Sequence, residues 1–116
     1  MPWGFHLLVD AGKCDSKSIR DPNHIKEFAT SLVKRIKMVA VGNPEVIRYG
    51  KGKKLGYTLV QLIETSDITA QFVESSNDLY LDVFSCKEFD PKIVKDTVNE
   101  YFTPERIHSR FLHRQA

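Results

Sequence analysis

Asp21-Pro22 opens the segment that most constrains this chain. An aspartate at the N-cap accepts from free helix amides, and a proline in the first turn needs no amide partner. Ile25, Phe28, Ala29, Leu32, Val33 and Ile36 then recur at helical spacing, while Lys26, Lys34, Arg35 and Lys37 fall off the stripe. The pattern predicts a one-faced amphipathic helix of about four turns. Asp90-Pro91 repeats the device, followed by Ile93, Val94, Val98 and Tyr101, joined by Phe102, with Pro104 as the stop. Val94, Val98 and Tyr101 keep the four-then-three spacing of one helix face.

The remaining apolar runs read as strands. Phe5 to Asp10 is apolar on both parities, as for a strand buried on both faces. Gly42-Asn43-Pro44 reads as a turn, Glu45 to Tyr49 as a strand and Gly50 to Gly56 as a loop. Tyr57 to Glu64 and Ile68 to Val73 flank a polar break at Thr65 to Asp67. Glu74 to Asp78 is a turn, Leu79 to Cys86 a strand, and Arg106 to His113 a last strand. Strand, helix, a run of three or four strands, helix, strand predicts an α+β two-layer sandwich. Its mainly antiparallel sheet carries both helices on one face. Tyr80 and Phe84 lie opposite Leu79, Leu81 and Val83, so the uncovered face is expected to be apolar. A homodimer with sheets face to face would bury such a patch.

The 116 residues fit one domain, 1–116. A net charge of +2 gives no concentrated basic footprint for nucleic acid. Lys51, Lys53 and Lys54 sit in a glycine-containing, solvated loop, and no helix follows Gly50 and Gly52 to make a dinucleotide fingerprint. No apolar run reaches bilayer length, and the first residues lack the charged and apolar regions of a signal peptide. A cytoplasmic protein with Cys14 and Cys86 as free thiols is expected, without a membrane partner. Those cysteines and His6, His24, His108 and His113 show no zinc-type spacing, so no metal site is expected.

Glu64-Thr65-Ser66-Asp67-Ile68-Thr69 and Asp82-Val83-Phe84-Ser85-Cys86 carry the chemistry. Alone, Ser66 reads as a turn residue and Cys86 as a small core hydrophobe at a strand end. Set beside His6-Leu7-Leu8-Val9-Asp10, Gly12, Cys14-Asp15, Gly56-Tyr57-Thr58 and Phe89-Asp90-Pro91, they give a sequence that resembles the bacterial and archaeal short form of S-adenosylmethionine decarboxylase over nearly its whole length. The interval from Ser66 to Cys86 is the most specific part. The resemblance implies self-cleavage between Thr65 and Ser66. The serine hydroxyl attacks the preceding carbonyl, an ester forms, and elimination leaves a pyruvoyl group. That group forms a Schiff base with S-adenosylmethionine and takes up electrons as carbon dioxide leaves, a step of spermidine biosynthesis. It also implies Cys86 as proton donor, Thr58 as a hydroxyl that assists processing, Asp10 and Glu74 near the substrate, and face-to-face dimers.

The sequence departs from the family motif after Ser66. Gln71 stands where the family has the histidine that removes a proton during cleavage, and an amide does not titrate near neutral pH. Asp67 replaces another histidine and is an alternative base. Ser75 aligns with the glutamate that holds the substrate ribose, one position beyond Glu74. Two alternatives stay open. One is an uncut, non-catalytic homologue that binds substrate or modulates a partner. The other is a pyruvoyl decarboxylase of another amino acid, such as ornithine or arginine.

Overall fold

The computed structural model describes residues 2–116; Met1 of the expected 1–116 domain lies outside the described residues. Strands β1 (Gly4–Gly12), β2 (Ala40–Tyr49), β3 (Gly56–Ile63), β4 (Ser66–Val73), β5 (Asp78–Ser85) and β6 (Arg106–Arg114) form one six-stranded sheet in the order β2-β3-β4-β5-β1-β6. Every neighbouring pair is antiparallel. Helices α1 (Pro22–Arg35) and α2 (Pro91–Phe102) pack on one face, completing the expected α+β two-layer architecture.

Both helices start as the sequence dictates. The Asp21 carboxylate accepts from the Asn23 and His24 amides, and Asp90 accepts from the Lys92 amide. Thr103 stops α2 in a left-handed conformation, immediately before Pro104. The helix stripes meet the sheet in one apolar cluster that includes Leu7, Val9, Leu59, Ile68, Phe72, Leu81 and Val83. Phe102 is central, with ring centroids 4.9 Å from Phe28 and 5.2 Å from Phe72.

Three expectations change. Gly42-Asn43-Pro44 is not a turn before a strand but lies within β2, where the register to β3 shifts between Val41 and Glu45. A bulge on an edge strand tolerates proline, and Gly42 supplies the positive φ of 75°. The break between β3 and β4 is the two residues Glu64 and Thr65 alone, because Ser66 already pairs with Ile63. β1 is not buried on both faces: Phe5, Leu7, Val9 and Ala11 enter the core, whereas Asp10 is exposed on the other side.

The helix-free face is mixed rather than uniformly apolar. Register places Ile47, Thr58, Gln71, Tyr80, Asp10 and His108 in one row across all six strands. Val41, Leu62, Asp67, Phe84, His6 and Leu112 form the row nearest the turn between β3 and β4. Tyr80, Ile47 and Leu62 are exposed, but they stand among carboxylates, hydroxyls and β6 arginines.

Candidate active site

The two-residue turn Glu64-Thr65 delivers Ser66 to the first position of β4, where it pairs with Ile63 on one side and Ser85 on the other. Ser66 is partly exposed. Cys86 follows the last residue of β5, and its thiol-bearing side chain is exposed. The Cys86 backbone N–H donates to the Thr65 carbonyl oxygen at 3.0 Å. That oxygen belongs to the peptide bond joining Thr65 to Ser66. A backbone donor there stabilises negative charge when a nucleophile adds to the carbonyl carbon, as in an oxyanion hole.

A chain of hydroxyls backs this contact. The Lys87 N–H donates to Ser85 Oγ at 2.9 Å, and the Ser85 hydroxyl donates to Thr65 Oγ1 at 2.7 Å. The Thr65 hydroxyl in turn faces Met38 Sδ at 3.4 Å. Ser85 is fully buried. Sequence inspection did not single it out. The available signal was parity: Ser85 continues the inward series Leu79, Leu81, Val83, so a polar atom there requires an internal partner.

Beside Cys86 on the open face lies Phe84. The Arg114 guanidinium sits 4.6 Å from its ring centroid, and Trp3 and His6 pack at 6.0 Å and 5.6 Å. Gly4 makes room for it, since a Cβ there would lie 2.7 Å from the Phe84 ring. His6 Nε2 and Asp82 Oδ1 are 3.0 Å apart. Phe84 is thus committed to contacts within the chain, while Tyr80 remains open, 46% exposed.

The other expected site residues lie elsewhere. Thr58 donates its hydroxyl hydrogen to Gln71 Oε1 at 2.8 Å, and the two are direct partners on β3 and β4. Gln71 is five residues along β4 from Ser66, about 17 Å at strand rise. Asp10 shares the Thr58–Gln71 row and is exposed there. Glu74 follows the far end of β4, where Arg48 Nε and Nη2 each donate to its carboxylate at 2.9 Å. Those bonds, with Arg20 adding its charge, hold the Glu74 carboxyl below its ordinary range. The structure therefore joins Thr65, Ser66 and Cys86 at one end of the sheet and Thr58, Gln71 and Asp10 in a separate row.

The second thiol has a different setting. Cys14 is buried, and desolvation, with the Asp78 and Asp15 charges adding, pushes it up to about 11. At neutral pH it is a protonated core residue. Among the described residues, no group of three or more His, Cys, Asp and Glu side chains is arranged to hold a metal ion.

Residues 5–115 match the model of the family described as S-adenosylmethionine decarboxylase. The S-adenosylmethionine decarboxylase proenzyme of Pyrococcus furiosus is 32% identical over 114 residues, covering 96% of this chain and 78% of that protein. The proenzyme of Pyrococcus horikoshii is 31% identical over 108 residues, covering 90% and 73%. The crystal structure of the adenosylmethionine decarboxylase from Aquifex aeolicus superimposes with a TM-score of 0.82 at 22% identity, covering 99% of this chain and 92% of that one, which shows the shared fold. The chain belongs to the S-adenosylmethionine decarboxylase family.

Proposed function

We propose that this protein is a proenzyme that cuts itself between Thr65 and Ser66 and then decarboxylates S-adenosylmethionine for spermidine biosynthesis. The observation that carries this is the Cys86 N–H on the Thr65 carbonyl oxygen, with the Cys86 thiol exposed beside it. Attack by Ser66 Oγ on the Thr65 carbonyl carbon forms the ester and releases the Ser66 amine. The Cys86 amide holds the oxyanion formed on the way.

The residues at this end of the sheet fit a pyruvoyl group derived from Ser66. The serine is at a partly exposed strand start, and the donor to the Thr65 carbonyl is already in place. Such a group supplies a ketone that takes up electrons when carbon dioxide leaves an attached amino acid. Cys86 is the proton donor on this reading, since its thiol is the exposed one. Cys14 is buried and remains protonated.

The assembly that suits this site is a homodimer. Within one chain the Thr58–Gln71 pair is too far from Ser66 to touch it. A second copy laid face to face and turned end over end would bring the partner's Thr58 and the partner's Gln71 over Ser66 and Cys86. The partner's Asp10, and the partner's Glu74 together with its arginine, would then border the substrate. A cytoplasmic setting completes the proposal; among the described residues no helix is long and apolar enough to cross a membrane.

Gln71 favours a second reading, an uncut homologue that binds substrate, because its amide occupies the position of the processing base and is bonded to Thr58. Carbon dioxide release from carboxyl-labelled S-adenosylmethionine, ornithine and arginine separates the readings. The proposal expects release from S-adenosylmethionine alone. Release from ornithine or arginine instead, or from none of them, contradicts it.

A further inference from the structure

Self-cleavage needs the Thr65 carbonyl held in one orientation while Ser66 attacks it. The donor is the Cys86 amide, on a segment that has just left β5 and is no longer fixed by strand pairing. Something must hold both the segment that owns the donor and the residue that owns the acceptor. One buried hydroxyl touches each. Ser85 Oγ accepts from the Lys87 amide, which closes the chain around Cys86, and its hydrogen goes to Thr65 Oγ1. Thr65 is thereby tied by its side chain as well as by its carbonyl. Met38 Sδ, buried beside both hydroxyls, offers a soft acceptor to Thr65.

We propose that Ser85 is a positioning residue for self-cleavage: through Thr65 and Lys87 it holds the scissile carbonyl against the Cys86 amide. The proposal rests on the self-cleavage reading above. It does not place Ser85 in contact with the reacting atoms, because its hydroxyl is occupied by Thr65 Oγ1. Loss of one neutral hydrogen bond of this kind changes an equilibrium by roughly three- to tenfold. Leaving the Lys87 amide without its acceptor adds to that.

The test has two arms. In the first, the formation of two fragments is timed by intact mass for the wild type, Ser85→Ala and Ser85→Thr. The expected result is cleavage slowed about tenfold in Ser85→Ala and restored in Ser85→Thr, which keeps the hydroxyl. In the second, amide hydrogen exchange is read in full-length chains kept uncut by Ser66→Ala, with and without Ser85→Ala. Exchange at Cys86 should quicken by about tenfold while Leu81 and Val83, deeper in β5, keep their protection. Cleavage of Ser85→Ala at the wild-type rate overturns the proposal, as does unchanged exchange at Cys86. Equal loss of protection throughout β5 also overturns it, by showing a merely structural role. If the wild type itself is never cut, the functional reading fails, and exchange at Cys86 alone decides whether Ser85 holds the carbonyl.

Discussion

Gln71 and Cys86 set the expectations at the scale of single residues. Gln71 presents an amide to Thr58 where the family's chemistry calls for a base, so Gln71→His should speed self-cleavage. A positioned general base contributes about a hundredfold or more, and the rate of fragment formation measures it. Cys86→Ser should still be cut but lose decarboxylation by about a hundredfold, read as carbon dioxide release. The two thiols should also differ in folded protein. Iodoacetamide near neutral pH should modify Cys86, which is exposed, and spare Cys14, whose burial pushes it up to about 11. Peptide mapping that finds both modified equally contradicts that assignment.

At the scale of elements, the helices were the most legible part of the sequence. Asp-Pro starts and the apolar stripes act locally, so α1 and α2 could be placed without knowledge of the sheet. Leu32 lies fully buried on the α1 stripe, and Leu32→Ala should cost about 2–5 kcal/mol in chemical denaturation. The strands were legible as runs but less so in their ends and faces. A proline-containing bulge in β2 looks like a turn because its local residues are turn residues, and only pairing with β3 reveals the strand. β1 looked buried on both sides because Leu8 is apolar, yet its companions His6 and Asp10 face the open side with it. The Arg48–Glu74 contact, which bridges the ends of β2 and β4, was invisible because its partners lie 26 residues apart. Glu74 has a folded value below its ordinary 4.5. Its contribution is therefore present above that value and lost as pH falls through the lower folded one. Wild type should be more stable than Glu74→Gln at neutral pH, with the gap in urea midpoint closing in acid. A gap that does not change with pH would contradict this.

For the whole molecule, the open sheet face links fold to function. It carries Thr58, Gln71 and Asp10, whereas Ser66 stands at the end of the sheet, on the strand parity of Ile68 and five positions before Gln71. The sequence named candidates in both groups without the gap between them, because spacing along a chain does not reveal which end of a strand a residue occupies. The proposed face-to-face dimer would close that gap. Sedimentation at micromolar concentration should therefore find a dimer, and Tyr80→Arg, placing charge at the centre of the open face, should shift it toward monomer. A wild-type monomer would remove the composite site.

Whether this chain cuts itself before Ser66 is read from the intact mass of the purified wild-type protein under denaturing conditions. Self-cleavage gives two fragments that break between Thr65 and Ser66, the second blocked to N-terminal sequencing by a ketone. A single species at the mass of the full chain, unchanged on prolonged incubation, would contradict it.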